Sequence, residues 1–464
     1  MTPDTLITRE ARRALATQIK GTITTPGDAT YDADRAAWNL AVDQHPAAVF
    51  RAVDDTDVAA AVRFAAEHGL GVAVQATGHG VARPADDALL LLTEAMDGVQ
   101  VDAAARTARI EAGAQWGTVL GKAAPEGLAP LLGSSPGVGA VGYTLGGGLG
   151  WLARRYGLAA DSVRSFELVT ADGRRVRADA QENPELFWGL RGGGAGSLGV
   201  ITAMEVALFP VDQVYGGNLL YPADLAREVA ARYAEWIAAA PDELTSSLVL
   251  MNFPPMDMVP EPLRGRSFAI IRGCHSGSTA DAEEQLRFRR EWRRPDIDMF
   301  GPMPLSAAAM ISNDPVDPLP GGTTTAWLKG LDRDAIDIIV DHAFPADGPP
   351  QVMMTEVRHV GGAVSRGGSE AAYGNRDATL LFETVSAIPT PEAADALAAQ
   401  FARVHERLRP HATGGAYLNF LEGPEKIART RQGFTPEAYR RLQALKRQYD
   451  PQNLFRYGID LVGG

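Results

Sequence analysis

The sequence predicts an α+β fold, and three patterns support this prediction. Residues 48–76 are arranged as strand, helix and strand, which indicates a β-α-β unit. The segment "SFELVTADGRRVRAD" indicates a hairpin, because two alternating runs flank Ala171-Asp172-Gly173. From about residue 215 to 410, strand-like runs alternate with polar helical stretches, which is typical of an antiparallel sheet with helices on one face.

The elements of the first part follow from hydrophobic period and from capping residues. The β-α-β unit has a helix that begins after the acidic cap at Asp54–Asp57 and ends at Gly69. The β-α-β unit consists of the strand "AAVFRAV", the helix "VAAAVRFAAEH" and the strand "LGVAVQA". The predicted elements that follow it are the strands "ALLLL" and "ARIEA", the helix "AQWGTVLGKAA" and the strand "GVITAMEVALFP".

The second part repeats a simpler pattern. Its predicted strands are "SSLVLMNF", "SFAIIRG", "QVMMTEVRHV" and "ATLLFETVSA", and "DAEEQLRFRREW" is a predicted helix. Two proline-rich stretches, "NFPPMDMVPEPL" and "SNDPVDPLPGG", are expected to be ordered surface loops, with a lid as one candidate role. The chain closes with a helix in "TPEAYRRLQALKRQYDPQNLF".

Composition limits the class of protein. The chain has 464 residues, is 45% hydrophobic and carries a net charge of −13, which predicts a folded protein with a large core. This charge disfavours nucleic acid or an anionic membrane as the main partner. We found no transmembrane-length apolar run and no signal-peptide pattern, so we expect a cytoplasmic protein. Cys274 is the only cysteine, so we expect neither a disulfide nor a cysteine-based metal site.

Glycine is concentrated in two segments, residues 133–150 and 191–202. Such density predicts positive φ angles or very close approach to another group, and two such loops could gather backbone amides around an anionic, pyrophosphate-bearing cofactor. The alternative is a set of glycine-rich surface turns. The match to G-x-G-x-x-G at residues 137–142 is not taken as a dinucleotide fingerprint, because Pro136 precedes it and Gly146-Gly147-Gly148 interrupts the helix it would need.

His79 lies in "VAVQATGHG", directly after the second strand of the β-α-β unit. Functional groups in α/β units are commonly found at this end of a strand. The residues by themselves also allow an ordinary loop histidine.

Five motifs in order carry a family resemblance: "GHG", "GSSPGVGAVGYTLGGGLGWLARRYGLAADSV", "NPELFWGLRGGGAGSLGVIT", "AYLNF" and "YDPQNLFRYG". Together they resemble the berberine-bridge-enzyme-like branch of the FAD-linked oxidases in the vanillyl-alcohol-oxidase superfamily, and the resemblance covers nearly the whole chain. It implies a PCMH-type FAD-binding domain formed by residues 1–212 and 412–464. Residues 213–411 would form the substrate-binding domain that covers the reactive ring of the flavin.

The resemblance also implies which residues bind FAD. His79 matches the histidine bonded to the 8α-methyl group of the flavin. Many relatives make a second bond through a cysteine where this chain has Ser135, so a single covalent link is expected. The implied FAD contacts are Ala76, Thr77, Gly78, His79, Gly80, Ser134, Ser135, Val138, Gly139, Gly142, Tyr143, Gly146, Gly147, Gly199, Val200, Tyr417 and Asn419.

The catalytic residues are less clear from the resemblance. Tyr417 and Asn419 match a Y-x-N motif near the flavin, but the residue that follows, often a catalytic tyrosine in relatives, is Phe420. Glu356 and Arg358 would share one face of a strand, so Glu356 is a candidate base and Arg358 a candidate group for orienting a substrate oxygen. A salt-bridged solvent face is the alternative.

Tyr143 and Tyr417 are further catalytic candidates, although an aromatic residue beside a flavin is as often a packing residue.

The resemblance implies an FAD-dependent oxidase that takes a hydride from an alcohol, a phenol-type compound or a sugar-like substrate and reduces dioxygen to hydrogen peroxide. The small residue Val138 matches a position where relatives admit dioxygen to the flavin. Two alternatives stay open: an oxygenating or ring-forming flavoenzyme, and a flavin- or ligand-binding protein that has lost turnover. The expected partners are a small molecule and dioxygen, with no nucleic acid, membrane or metal, and the chain is expected to be a monomer or homodimer.

Overall fold

The computed structural model describes residues 7–368 and 370–463. The strands, numbered in chain order, are β1 (Thr22–Thr24), β2 (Ala48–Arg51), β3 (Val72–Gln75), β4 (Leu89–Leu92), β5 (Val99–Asp102), β6 (Thr107–Glu111), β7 (Val163–Val169), β8 (Arg175–Asp179), β9 (Val200–Ala207), β10 (Gln213–Pro222), β11 (Leu244–Asn252), β12 (Ser267–His275), β13 (Ile297–Asp298), β14 (Gly301–Pro304), β15 (Gly321–Leu328), β16 (Met354–His359) and β17 (Leu380–Ala387).

The helices are α1 (Arg9–Ala16), α2 (Tyr31–Asp34), α3 (Asp55–Glu67), α4 (Trp116–Ala123), α5 (Ala140–Leu145), α6 (Ala153–Tyr156), α7 (Pro184–Gly193), α8 (Ala226–Ile237), α9 (Thr279–Trp292), α10 (Ala309–Ser312), α11 (Arg333–Ala343), α12 (Ala363–Arg366), α13 (Pro391–Leu408), α14 (Gly423–Ala428) and α15 (Pro436–Tyr449). Helices and strands are mixed along the chain, and the predicted α+β class is confirmed. None of the helices within residues 7–368 and 370–463 combines the length and apolar character needed to cross a membrane.

The predicted β-α-β unit is present in a four-stranded sheet of order β1-β2-β4-β3. Strands β2 and β3 both pair in parallel with β4, which lies between them. The connecting helix α3 begins where the side chain of Asp54 accepts hydrogen bonds from the N–H groups of Thr56 and Asp57. Its buried positions include Val58, Val62 and Ala65, so one face of α3 packs in a core with strands of this sheet.

A second, five-stranded sheet has the order β5-β6-β9-β7-β8, and all of its pairings are antiparallel. The predicted hairpin corresponds to β7 and β8. Its turn contains Gly173 at φ +74, a value that glycine adopts without strain. Helices α4, α5 and α7 pack against elements of this sheet, so the glycine-rich segment around α5 rests on a rigid support.

The third sheet is antiparallel and has the order β13-β10-β12-β11-β16-β17-β15, with β14 also paired to β10. Apolar side chains on one face, such as Leu219, Ile271, Leu248 and Phe382, share a core with helices α8, α9, α11 and α13. The predicted sheet with helices on one face is therefore confirmed. All of these strands lie within residues 213–411, an arrangement that supports the predicted domain division, which stays a prediction.

The end of the chain returns to the first part of the protein. Leu442 and Leu445 of α15 lie where side chains added at Gly189 and Gly193 of α7 would clash. Nearby, the buried Lys446 Nζ donates to Asp450 at 2.6 Å and to the carbonyl groups of Ser197 and Phe455. These contacts attach the C-terminal segment to the N-terminal sheets and leave residues 417–420 between the glycine-rich segment and β15.

Candidate active site

Two of the predicted loops are neighbours. The histidine loop, residues 76–80, follows β3, and the glycine loop, residues 133–150, precedes and surrounds α5. A side chain built at Gly139 would place its Cβ 3.3 Å from the Cβ of Ala76 and 3.7 Å from Oγ1 of Thr77. The two loops therefore pack against each other at Gly139.

His79 is held in a defined orientation. Its Nδ1 is 2.7 Å from Oγ1 of Thr77, and its ring stacks on Trp38 with centroids 4.3 Å apart. Gly78 has φ +78, and a Cβ there would be 2.8 Å from Ala37, so only glycine fits without strain. Burial lowers the pKa of His79 to about 4, because desolvation disfavours the imidazolium. The ring is thus neutral at physiological pH, and one of its two nitrogens carries a lone pair that can act as a nucleophile.

Both loops present unused hydrogen-bond donors. Among the described residues, the backbone N–H groups of the histidine loop at 78–80 and those of Ser134, Ser135, Gly137 and Val138 donate no hydrogen bond. Gly137 and Gly142 have open space where a side chain would stand. Free backbone amides of this kind are a favourable environment for an anionic group such as a phosphate.

Other positions in the glycine loop require glycine for a different reason. A Cβ at Gly146 would lie 1.8 Å from Oδ1 of Asn419, and one at Gly147 would lie 2.6 Å from the ring of Tyr373. A Cβ at Gly150 would meet the carbonyl oxygen of Leu132 at 1.8 Å. At these positions, close protein packing explains the glycine without a ligand.

The second glycine cluster reaches the same region less directly. Gly199 has φ +154 and lies against Val169. Val200 is fully buried in the core beside Val169, so its side chain is unavailable and only its backbone could contribute to binding. The predicted roles of both residues stay predictions.

Tyr417 and Asn419 connect the glycine loop to the third sheet. The hydroxyl oxygen of Tyr417 accepts hydrogen bonds from the N–H of Leu149 at 2.9 Å and from Nδ2 of Asn419 at 3.2 Å. Asn419 Nδ2 also donates to the carbonyl group of Tyr143 at 2.9 Å. Burial raises the pKa of Tyr417 to about 12. These contacts favour a positioning role for Tyr417 over the role of a base.

The environment of Tyr143 favours the packing alternative. Its ring contacts Trp116 edge to face at 5.9 Å and lies where side chains at Gly133 and Gly148 would clash. Burial raises the pKa of Tyr143 well above its ordinary value, so the phenol stays protonated.

Glu356 and Arg358 share one face of β16, as predicted, and the solvent-face alternative is wrong. Glu356 is only 1% exposed, and Nε of Arg358 donates to its Oε2 at 3.0 Å. Burial raises the pKa of Glu356, but Arg358 and Arg272 outweigh that effect and leave it below its ordinary value. Glu356 is therefore an ionised carboxylate, and Nη1 of Arg358 has no hydrogen-bond partner among the described residues.

Glu356 and Arg358 belong to a larger polar group that sequence analysis missed. In the sheet register Arg272 of β12 is opposite Ser247 of β11, Ser247 is opposite Arg358, and Glu356 is opposite Glu383 of β17. Arg272 is 4% exposed and Glu383 is 5% exposed. The available signal was a single charged residue within an apolar strand, as in "FAIIRGC" and "LLFETV". Such residues are rarely buried without a specific partner.

The polar face of the third sheet meets the glycine loop. Ser134, Gly150 and Trp151 line a small cavity together with residues 245–247, 356, 358 and 359. Ser134 Oγ donates to Oδ2 of Asp314 at 2.6 Å, so the predicted proline-rich loop 312–322 reaches the glycine loop. This contact agrees with the candidate lid role but does not require movement.

Phe420 lies at the edge of this cavity. The guanidinium carbon of Arg358 is 4.7 Å from the centre of the Phe420 ring, and Tyr417 packs edge to face on the same ring at 4.8 Å. Phe420 therefore supports Arg358 by a cation–π contact and cannot accept a proton.

Several buried polar atoms around the cavity lack a hydrogen-bond partner within the described ranges: Tyr143 OH, Trp151 Nε1, Thr245 Oγ1, Arg272 Nε, His359 Nδ1 and Glu383 Oε2. Unpaired buried polar groups are costly. Their concentration between the glycine loop and the third sheet indicates a site for a polar ligand.

Comparison with known proteins agrees with this geometry. A family profile described as "FAD binding domain" matches residues 46–179, and one described as "Berberine and berberine like" matches residues 416–458. The chain is 30% identical over 478 residues to (R)-6-hydroxynicotine oxidase of Paenarthrobacter nicotinovorans, covering 98% of this chain and 99% of that protein. It is 25% identical over 486 residues to chitooligosaccharide oxidase of Gibberella zeae, covering 97% and 94% of the two chains.

The fold is also that of solved relatives. BBE-like 1 of Physcomitrella patens superposes with a TM-score of 0.82 at 21% identity, over 97% of this chain and 99% of that one. The residues present fit FAD, because the free amides of the two loops suit its pyrophosphate and the neutral His79 ring stands beside them. The chain belongs to the berberine-bridge-enzyme-like family of FAD-linked oxidoreductases.

Proposed function

We propose that this protein is an FAD-dependent oxidase that removes a hydride from a hydroxyl-bearing carbon of a small polar molecule and passes the electrons to dioxygen. The observation that carries the proposal is the buried Glu356–Arg358 pair on the face of the third sheet that meets the glycine loop. Two relatives are named as oxidases, one of a hydroxynicotine and one of chitooligosaccharides. Alcohol, phenol-type and sugar-like substrates remain within the proposal.

The chain's own groups supply the acid–base and binding chemistry. Glu356, ionised and out of water, accepts the proton of the substrate hydroxyl group. Arg358 and Arg272 would stabilise the negative charge that develops on the substrate oxygen, since Arg358 lines the cavity and the buried Arg272 lies on the same face of the sheet, on the other side of Ser247. Bound FAD would supply the hydride acceptor.

We further propose that His79 bonds covalently to the flavin. The neutral ring, its hydrogen bond at Nδ1 to Thr77 and its stacking on Trp38 all support this role. Donation from Nδ1–H of His79 to Oγ1 of Thr77 would leave the ring lone pair on Nε2, the nitrogen that we propose forms the bond. Ser135 lies on the glycine loop, and we expect no second link there.

An anaerobic substrate screen tests the proposed reaction. Purified protein is mixed without oxygen with alcohols, phenols and sugars, and flavin bleaching is followed by absorbance. Admitting oxygen and comparing hydrogen peroxide with product then separates an oxidase from an oxygenating or ring-forming enzyme, since only the oxidase gives one peroxide for each simple oxidation. Failure of all three compound classes to bleach the flavin would favour the turnover-deficient alternative.

Arg358→Lys should weaken substrate binding by about tenfold with a smaller effect on the limiting rate of flavin reduction. A lysine keeps the charge but loses the planar fork, and one charged hydrogen bond is worth about 1.5–3 kcal/mol. The measurement is the substrate dependence of anaerobic flavin reduction. Arg109→Lys is the matched control, because Arg109 pairs with Glu167 on the second sheet, away from the site. Equal substrate affinity in Arg358→Lys and wild type would contradict the assignment.

Val138→Ile should slow reoxidation by dioxygen at least several-fold and leave flavin reduction by substrate nearly unchanged. Val138 is half-buried on the glycine loop, and the larger side chain would fill space beside the cofactor. Stopped-flow mixing of reduced enzyme with oxygenated buffer measures the effect. Val176→Ile, on the distant β8, is the control. Unchanged reoxidation in Val138→Ile would show that dioxygen reaches the flavin by another route.

A cytoplasmic location and a monomeric or homodimeric state complete the proposal. Sedimentation velocity of the purified protein distinguishes the two oligomeric states.

A further inference from the structure

Glu383 is a buried carboxyl group with an unused oxygen. It lies on β17 directly opposite Glu356 in the register, and its Oε2 has no hydrogen-bond partner among residues 7–368 and 370–463. Glu383 forms an ion pair with Arg358. Nη2 of Arg358 lies 3.4 Å from Oε2 of Glu383 and 3.0 Å from Oε2 of Glu356. One guanidinium group therefore stands between two carboxyl groups.

Ionising both Glu356 and Glu383 in this position is unfavourable. Like charges directly opposite each other in a sheet repel, and burial removes the water that would screen them. The charged groups that act on Glu383 are Arg358, Glu356, Asp314 and Arg272. Glu356 has the direct hydrogen bond from Nε of Arg358 and is the site where the negative charge is most stable.

We infer that Glu356 and Glu383 share a single proton, held by Glu383, and that Glu383 donates it as a hydrogen bond to the substrate oxygen from which Glu356 removes a proton. This assignment rests on the proposed function and adds a neutral hydrogen-bond donor to it. Burial raises the pKa of Glu383 to about 8, with Arg358 opposing and Glu356 reinforcing the increase, in agreement with the geometry.

The division of roles balances the proton and the electrons. The hydroxyl proton moves from the substrate to Glu356, and the hydride leaves the substrate carbon for the flavin. Glu383 keeps its proton throughout and stabilises the oxygen while its negative charge develops, as a neutral donor in a low-dielectric site can do. With Arg154, Arg272 and Arg358 positive and Glu356 and Asp314 negative, the groups around the cavity carry no excess of negative charge that would attract a cation. A neutral hydroxylated compound is therefore preferred over a protonated amine.

Isosteric replacement distinguishes the two carboxyl groups. Glutamine imitates a protonated glutamate, so Glu383→Gln should retain flavin reduction within a few-fold of wild type at pH 7, whereas Glu356→Gln should lose it. Wild-type flavin reduction should also slow as the pH rises past about 8, where Glu383 ionises. Glu383→Gln should lack this alkaline decline. Glu167→Gln is the control for a general effect of removing a charged strand residue, because Glu167 on β7 forms an ion pair with Arg109 on β6, across β9.

The opposite pattern of activities would overturn the assignment. If Glu383→Gln loses flavin reduction while Glu356→Gln retains it, Glu383 is the base. If both variants lose it equally, or if Glu383→Gln keeps the alkaline decline, the proposed division of roles is wrong.

A measurement without substrate separates this inference from the proposed function. Between the ordinary glutamate value of 4.5 and about 8, folded protein holds the Glu383 proton and unfolded protein releases it, so this group makes stability fall as the pH rises. Thermal unfolding of the holoenzyme should therefore show Glu383→Gln gaining stability over wild type across this range. Glu167, whose pKa is lowered, should give no such trend when changed to Gln. A constant difference between Glu383→Gln and wild type would refute proton sharing even if no substrate had been found.

Discussion

Replacing Glu356 by Gln is expected to slow flavin reduction by about 10²–10⁴-fold, the usual cost of removing a general base. The amide keeps the size of the side chain but cannot accept the substrate proton. Glu356 is 1% exposed and is hydrogen-bonded to Arg358, so the loss should come from the chemical step and leave the flavin spectrum almost unchanged. Rapid anaerobic mixing with a substrate from the screen measures the rate.

The dependence of the reaction rate on pH gives a second expectation, with a definite direction. Because Arg358 and Arg272 hold the pKa of Glu356 below its ordinary value, the wild-type base stays ionised at mildly acidic pH, and its activity should fall only as the pH drops below that range. The residual activity of Glu356→Gln should lack this acidic limb. Wild-type rates in Glu356→Gln at every pH would remove Glu356 from the mechanism, and a substrate with an acidic hydroxyl group would then explain turnover.

Replacing His79 by Ala is expected to abolish covalent flavin attachment entirely. Wild-type protein precipitated with acid should remain yellow and carry one flavin mass on the tryptic peptide 64–106, which stays intact because Pro84 follows Arg83. The variant should release its FAD on denaturation. It should still fold and bind FAD noncovalently, since the amides of the glycine loop are unaffected. Its turnover should be slower.

His68→Ala is a matched control, because His68 lies on the same tryptic peptide and stacks on Phe64 at the end of α3. This variant should keep the flavin attached. Free FAD in the supernatant of acid-treated wild-type protein would show that the flavin is not covalently bound. Thr77→Val should leave the link possible but reduce its yield, since the ring would lose the hydrogen bond that orients Nδ1.

Local pattern was sufficient for much of the fold. Period-two runs and capping residues predicted the β-α-β unit, the hairpin and an antiparallel sheet with helices on one face, because each depends on residues close together in the chain. The fourth strand illustrates the limit. "ALLLL" was predicted as a strand, but its insertion between β2 and β3 depends on pairing between distant segments, which no local pattern records.

The glycine loop also shows which features local sequence predicts and which depend on distant contacts. Its density correctly indicated close approach, yet the partner differs from position to position. Gly146 is required by Asn419, far along the chain, whereas a side chain at Gly137 would meet only open space. A glycine in the sequence indicates that another group approaches the backbone closely. Only the folded chain shows whether a protein group occupies that space.

By itself, the sequence determined the α+β class, the five motifs of an FAD-linked oxidoreductase, the position of His79 after a strand and the shared face of Glu356 and Arg358. Only the tertiary structure decided that Glu356 is buried, that Arg272 and Glu383 share the face of the sheet with it, and that Tyr143 packs edge to face on Trp116. The physical reason is that the charge state and accessibility of a group depend on everything that surrounds it. In this protein those surroundings come from β11, β12 and β17, which are separate in the chain and are brought together with β16 by strand pairing.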